Sequence, residues 1–262
     1  MTADGRLPPR PASRGVPWQP VAAELIGTGL LVGVGLSVVI LDFGHGSPLA
    51  QVLPSAALRR AITGFLFGLV GATITFSHVG KISGSHINPV VTISFWLRGK
   101  ISAQLAAGYI LGQMAGATVG AVALLAWRGL GRSIAYGATL PGPAGPWRVV
   151  AGETGATFCL VVGLFGMLGS KRLRPHTPWL FPPLYGVLVW LEGPLSGSST
   201  NPAPSLGPAL ISGDLRDLWV YFLGPLLALA FLRLRPLQRL DFDVAKLHHF
   251  ADDPHHVLHS RG

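Results

Sequence analysis

Long apolar runs, separated by short clusters of charge, proline and glycine, dominate the chain. A helix needs about 20 apolar residues to cross a hydrocarbon layer of roughly 30 Å. Six runs reach or approach that length: Val21 to Leu41, Ala61 to Val79, Ile101 to Trp127, Val149 to Gly169, Thr177 to Leu191 with a proline-interrupted start, and Leu218 to Leu234. The pattern changes after the second and fifth runs. There a glycine- and serine-rich stretch ends in Asn-Pro and opens an apolar segment too short to span. Lys81 to Pro89 leads into Val90 to Leu97, and Leu195 to Pro202 leads into Ala203 to Ile211. Asparagine is a good N-cap and proline suits the first helical position, so each Asn-Pro predicts a helix start. About ten residues at 1.5 Å each give roughly 15 Å, half the hydrocarbon thickness.

Irregular backbone at membrane depth survives only where protein buries it or a wet cavity satisfies it, so two half-spans with polar lead-ins point to a pore. The lead-ins stand three runs apart, which makes the half-helices enter from opposite faces and bring their N-termini together near the midplane. A second repeat agrees. Glu24-Leu25-Ile26-Gly27-Thr28 opens the first run and Glu153-Thr154-Gly155-Ala156-Thr157 opens the fourth, both fitting E-x-x-[G/A]-T. Three runs per half turn the second copy upside down. The expected architecture is therefore an all-α membrane protein of six transmembrane helices and two re-entrant half-helices in an inverted repeat. Repeat halves cover about residues 21–127 and 149–234. Glu24 and Glu153 are costly inside spans. They could form a proton or ion path, but their matched positions favour acceptors for the N–H groups of the re-entrant loops.

Composition agrees: of 262 residues, 49% are hydrophobic and only 12% charged, far less charge than a soluble domain carries. A formal charge of +9 could signal nucleic acid, but its distribution explains it otherwise. All the Lys and Arg except Arg59, Arg60, Arg128, Arg132, Arg148 and Arg216 fall in segments on one side of the six runs. The positive-inside rule then puts both termini in the cytoplasm of a multi-pass cell-membrane protein, with lipid and not nucleic acid as the partner of the basic residues. Cys159 is the single cysteine, which excludes an intrachain disulfide and a thiolate metal site. No metal and no cofactor is expected.

The segments Ser83-Gly84-Ser85-His86-Ile87-Asn88-Pro89-Val90 and Asn201-Pro202-Ala203, the latter followed by Ser205-Leu206-Gly207-Pro208-Ala209, resemble the two signature loops of the aquaporin and glycerol-facilitator family, over nearly the whole chain. The resemblance implies a right-handed bundle assembled as a homotetramer with one pore per subunit, passing water or a small neutral solute. It gives Asn88 and Asn201 the role of donating side-chain N–H groups to the passing molecule, with Pro89, Val90, Pro202 and Ala203 completing the two loops. Gly108, Gly112, Gly116 and Gly120, four residues apart in the third run, would let helices pack closely.

Departures from the family pattern bear on the solute. Pro204 stands where a filter arginine normally follows Asn-Pro-Ala, and the family's spacing puts the other filter positions at Phe67, Val189 and Ser198. A ring without arginine or histidine implies a wider, less polar mouth. Glycerol-like molecules, neutral metalloid hydroxides, ammonia and hydrogen peroxide join water as candidates. Val90 replaces the usual alanine, which narrows the pore or repacks the half-helix start. His78 and His86, in the cytoplasmic lead-in, could gate by protonation, although such histidines more often hydrogen-bond a loop.

Outside the channel region, residues 1–20 read as a disordered cytoplasmic N-terminus. Residues 241–262 read as a polar, histidine-rich cytoplasmic tail that is mobile and solvated, not a metal site. Arg128 to Arg148 reads as an external connection without chemistry of its own. A secondary transporter shares inverted repeats and broken helices, but coupling needs a titratable group at the substrate site. An intramembrane enzyme would need a nucleophile, base or metal cluster at the midplane.

Overall fold

The apolar runs fold as helices, and no strand occurs among the described residues, which in this computed structural model are 17–234, 238–240 and 242–248. The first run is α1 (Trp18–Phe43), so the last residues of the N-terminal segment are already helical; residues 1–16 lie outside the described residues. A short α2 (Pro48–Val52) precedes α3 (Ala56–Phe76), whose first turn is capped by the Ser55 hydroxyl accepting from Leu58 N–H. The second run was expected to continue to Val79. Instead the helix stops at Ser77 and restarts as α4 (His78–Ser83), because Ser77 is extended and turns its own N–H back to the Ile74 carbonyl.

The first half-span is α5 (Pro89–Leu97), and α6 (Ala103–Ala123) continues as 3-10 turns at Leu124–Trp127. After α7 (Arg128–Arg132) and a turn at Ala135–Gly137 comes α8 (Pro146–Gly169). A 3-10 segment Arg174–Leu180 feeds α9 (Phe181–Ser196), the second half-span is α10 (Pro202–Ser212), and α11 (Val220–Ala228) runs into 3-10 turns at Leu229–Arg233. Four of these helical stretches, Trp18–Phe43, Ala56–Phe76, Ala103–Arg132 and Pro146–Gly169, are long and apolar enough to cross a membrane.

Packing follows the internal repeat. Helix α1 lies along α6, its counterpart α8 lies along α11, and α3 packs on α9. The glycine stripe makes the first contact possible. A Cβ on Gly116 would sit 2.1 Å from the Leu25 carbonyl oxygen, and one on Gly120 would sit 2.3 Å from that of Gly29. Backbone therefore touches backbone, and only glycine permits it. Gly116→Leu is expected to cost about 3 kcal/mol or more by forcing α1 and α6 apart, read as a lowered apparent Tm in detergent. Gly166→Leu, where a Cβ meets nothing within 4 Å, is expected to leave Tm unchanged. Equal Tm for both variants would refute this view of the α1–α6 seam.

Large apolar side chains also face outward, among them Ile26, Val34, Leu111, Val119 and Leu191. Helices apolar on all sides, with leucines pointing away from the protein, suit lipid as the surrounding solvent. At the chain's far end the expectation of a solvated tail fails for its first part. Phe242, Ala245 and Leu247 are buried, because this stretch carries an apolar residue at nearly every second position and folds back onto the bundle. The rest of the histidine-rich tract, residues 249–262, lies outside the described residues.

Candidate permeation site

Each Asn-Pro does locally what its residue types dictate. Asn88 Oδ1 accepts from Val90 N–H at 2.8 Å and Asn201 Oδ1 accepts from Ala203 N–H at 3.1 Å, while Pro89 and Pro202 occupy the first helical turn. The asparagine amides then cross. Asn88 Nδ2 donates to the Thr200 carbonyl at 3.1 Å, and Asn201 Nδ2 donates to the Ile87 carbonyl at 2.9 Å. The two short helices thus meet tip to tip, each sealing the backbone just before the other. An amide carries two hydrogens, so one remains on each side chain for a ligand.

The loops leading to these tips match residue for residue. Gly84 and Gly197 take φ near +87° and +86°, and Ser85, Ile87, Ser198 and Thr200 also have positive φ, which costs non-glycine residues energy. Buried carboxylates hold both loops in this shape. Glu24 accepts from His86 N–H at 2.9 Å, Ile87 N–H at 2.6 Å and Gln113 Nε2 at 2.7 Å. Glu153 accepts from Ser199 N–H and Thr200 N–H, both at 2.8 Å, and from the Ser196 hydroxyl at 2.5 Å. Both glutamates are fully buried, and each accepts two of its three hydrogen bonds from loop N–H groups. Tyr109 and Tyr221 repeat the correspondence by donating to the Ser83 and Ser196 carbonyls at 2.7 and 2.8 Å. The sequence had not singled out either tyrosine.

Two cavities flank the tips. The outer one, about 380 Å³, is lined by Phe67, Val189, Ser198 and Pro204 together, with Arg60 and Gly64 farther along α3. Residues Gly137 to Leu140 form part of its wall, and Thr139 donates to the Ser205 hydroxyl at 2.8 Å. The connection after the third run therefore builds this mouth; turn-rich composition gave no sign of it. The inner cavity, about 40 Å³, is lined by Asn88, Asn201, His86 and Ile87, and by Leu247 from the tail. Phe67 and Tyr185 border both cavities, so the two are neighbours.

The remaining expected positions separate. Val90 and Ala203 are buried at the tip starts, and neither lines either of these two cavities. His86 is buried, ring-packed against Phe95 and Tyr109, with Nε2 3.0 Å from the Ala245 carbonyl and Nδ1 lacking a hydrogen-bond partner. His78 is exposed at the start of α4 and borders neither cavity. Another buried carboxylate, Glu192, has no hydrogen-bond partner at either oxygen and lies against Gly152. Among the described residues no cluster of three or more His, Cys, Asp or Glu could hold a metal ion.

Comparison with known proteins places this geometry. The family described as Major intrinsic protein matches residues 12–231. The chain is 33% identical to Aquaporin NIP1-1 of Zea mays, over 79% of this chain and 70% of that protein. It is equally identical to Probable aquaporin TIP2-2 of Oryza sativa subsp. japonica, over 78% and 80%. The X-ray structure of the aquaglyceroporin from Plasmodium falciparum superimposes with a TM-score of 0.65, at 17% identity, covering 86% of this chain and 98% of that one.

Proposed function

Because the chain belongs to the major intrinsic protein family, whose members are passive membrane channels for water and small solutes and not enzymes, we propose a path for permeation. It enters the outer cavity, narrows at Phe67, Val189, Ser198 and Pro204, passes the Asn88–Asn201 junction and leaves through the cytoplasmic mouth. One observation carries this reading. Four residues spread from 67 to 204 line a single cavity, and the asparagine pair lines the adjoining one, which shares Phe67 and Tyr185 with it.

In this reading the spare amide hydrogens of Asn88 and Asn201 orient a lone-pair-bearing molecule. The two helix N-termini, each equivalent to roughly half a positive charge, repel cations at the same point. Glu24 and Glu153 shape the loops and form no part of a proton path. The filter position held by Pro204 supplies no hydrogen bond donor, and its neighbours Phe67 and Val189 are apolar. Neutral solutes larger than water, such as glycerol or a metalloid hydroxide, therefore meet little penalty. Six crossings with two half-spans, both termini in the cytoplasm, and a homotetramer in the cell membrane complete the proposal. Val90 repacks the start of α5 without narrowing the path, since it is buried in the core and lines neither cavity. His78 borders neither of these two cavities, whereas His86 reaches the inner cavity and the tail.

Stopped-flow light scattering on proteoliposomes tests the reading. Water, glycerol and a neutral metalloid hydroxide are expected to pass with non-saturating rates and no ion gradient. Saturable uptake that needs a gradient would favour a secondary transporter instead.

A further inference from the structure

We infer that Arg60 is a specificity-determining residue of the outer mouth, supplying there the positive charge that position 204 lacks. The inference rests on the channel reading above. Arg60, Gly64 and Phe67 fall at i, i+4 and i+7 of α3, so they share one helix face over about 10 Å, and all three line the outer cavity. Among the described residues no other Lys, Arg, His, Asp or Glu borders that cavity. Its neighbour Arg59 is engaged elsewhere, donating to the Leu53 carbonyl at 2.8 Å and lying 3.4 Å from Asp42. The buried Nε of each arginine lacks a hydrogen-bond partner, but Arg60 has no ion pair such as Arg59 makes with Asp42 among the described residues. Gly193 on α9 makes room for its stem: a Cβ there would be 3.1 Å from Arg60 Cδ. A guanidinium kept unneutralised in a partly apolar vestibule repels cations and donates to the oxygens of neutral solutes.

The test compares sodium leak with water flux in the same proteoliposomes. Arg60→Met is expected to raise the ratio of sodium to water permeability roughly tenfold, and Arg60→Lys to restore the native ratio. An unchanged ratio in Arg60→Met overturns the assignment while leaving the channel reading intact. Absence of water flux in the native protein would instead overturn the channel reading itself.

A separate set of contacts points to a built-in plug, and we propose that residues 242–248 close the cytoplasmic mouth. The segment is tied at several points. Leu247 N–H donates to the Gly84 carbonyl at 3.0 Å, Lys246 Nζ donates to the Lys81 carbonyl at 2.5 Å, and the Ala245 carbonyl meets His86. Phe242 packs among Phe95 and Phe165, with ring centroids 5.5 and 5.1 Å away, and Asp243 pairs with Arg174 at 2.5 Å. Gly84 is needed for the fit, since a Cβ there would come within 2.7 Å of Lys246 Cγ. Leu247 reaches deepest, sharing the inner cavity with Asn88 and Asn201. At about 40 Å³ that cavity is roughly a tenth of the outer one, so the path is tightest where the segment docks.

A chain ending at Leu240 is expected to conduct water faster than the full chain, up to about tenfold if the plug is docked nine-tenths of the time. Full-length Leu247→Ala and Phe242→Ala, each checked for a single symmetric peak on size exclusion, are expected to conduct faster as well. Folded variants with native flux would overturn the plug.

Discussion

Arginine at position 204 is expected to cut glycerol and metalloid flux by roughly tenfold, about 1.4 kcal/mol on the barrier, while water flux falls much less. Pro204 is the third residue of α10, where a backbone N–H has no intrahelical acceptor. The substitution therefore breaks no helical hydrogen bond, and the new side chain has the outer cavity of about 380 Å³ to enter. Its guanidinium would occupy space now open to a bulky solute and would offer fixed donors to water. It would also place a second cation near Arg60, so Arg60→Met combined with Pro204→Arg separates bulk from charge. Stopped-flow rates for water and glycerol on the same vesicles give the measurement. Equal loss of both, or no change, would mean that position 204 does not border the narrowest part of the path.

The largest expected loss of stability follows removal of either loop carboxylate. Glu153→Ala would orphan three buried donors, Ser196 Oγ and the N–H groups of Ser199 and Thr200, each costing about 1–3 kcal/mol. The positive-φ residues Ser198 and Thr200 would lose the partner that holds them in place. Glu24→Ala should behave alike, since His86, Ile87 and Gln113 depend on it. Both variants are expected to lose the symmetric native peak on size exclusion and to give vesicles without flux. Glu153→Gln keeps the shape and one acceptor oxygen, so it should fold with a lowered Tm. If Glu153→Gln kept full stability yet abolished a proton current, the ion-path role would have to be reinstated.

Much of this site is written in short stretches of chain. An Asn-Pro start, a glycine before it and a glutamate at a matched place in each half are local patterns, and the half-helix tips and carboxylate anchors follow from them. Alignment of spacing likewise brought Phe67, Val189, Ser198 and Pro204 to one cavity wall. What stayed hidden depends on contacts between distant segments. Gly137 to Leu140 belong to the outer mouth because Tyr136 is buried beneath them against the α1 and α6 core, and turn-rich composition carries no such information. Phe242, Ala245 and Leu247 look like scattered apolar residues in a polar tail until Ala245 is seen to meet His86, 159 positions earlier, and Phe242 to pack on Phe95 and Phe165. Arg60 was one of six charges assigned to the outer side by count alone. Its distinction from Arg59 is a matter of which helix face each occupies.

The crossed amides of Asn88 and Asn201 also have a bearing on biosynthesis. Their hydrogen bonds join residues 112 and 114 positions apart, so the first tip leaves the ribosome well before its counterpart exists. At roughly 5–20 residues per second that interval is on the order of ten seconds. Through it, the Ile87 carbonyl and the Asn88 amide must be sheltered by water or by the insertion machinery. The nascent first half is consequently an obligate intermediate that matures only when its mirror partner is threaded into the bilayer.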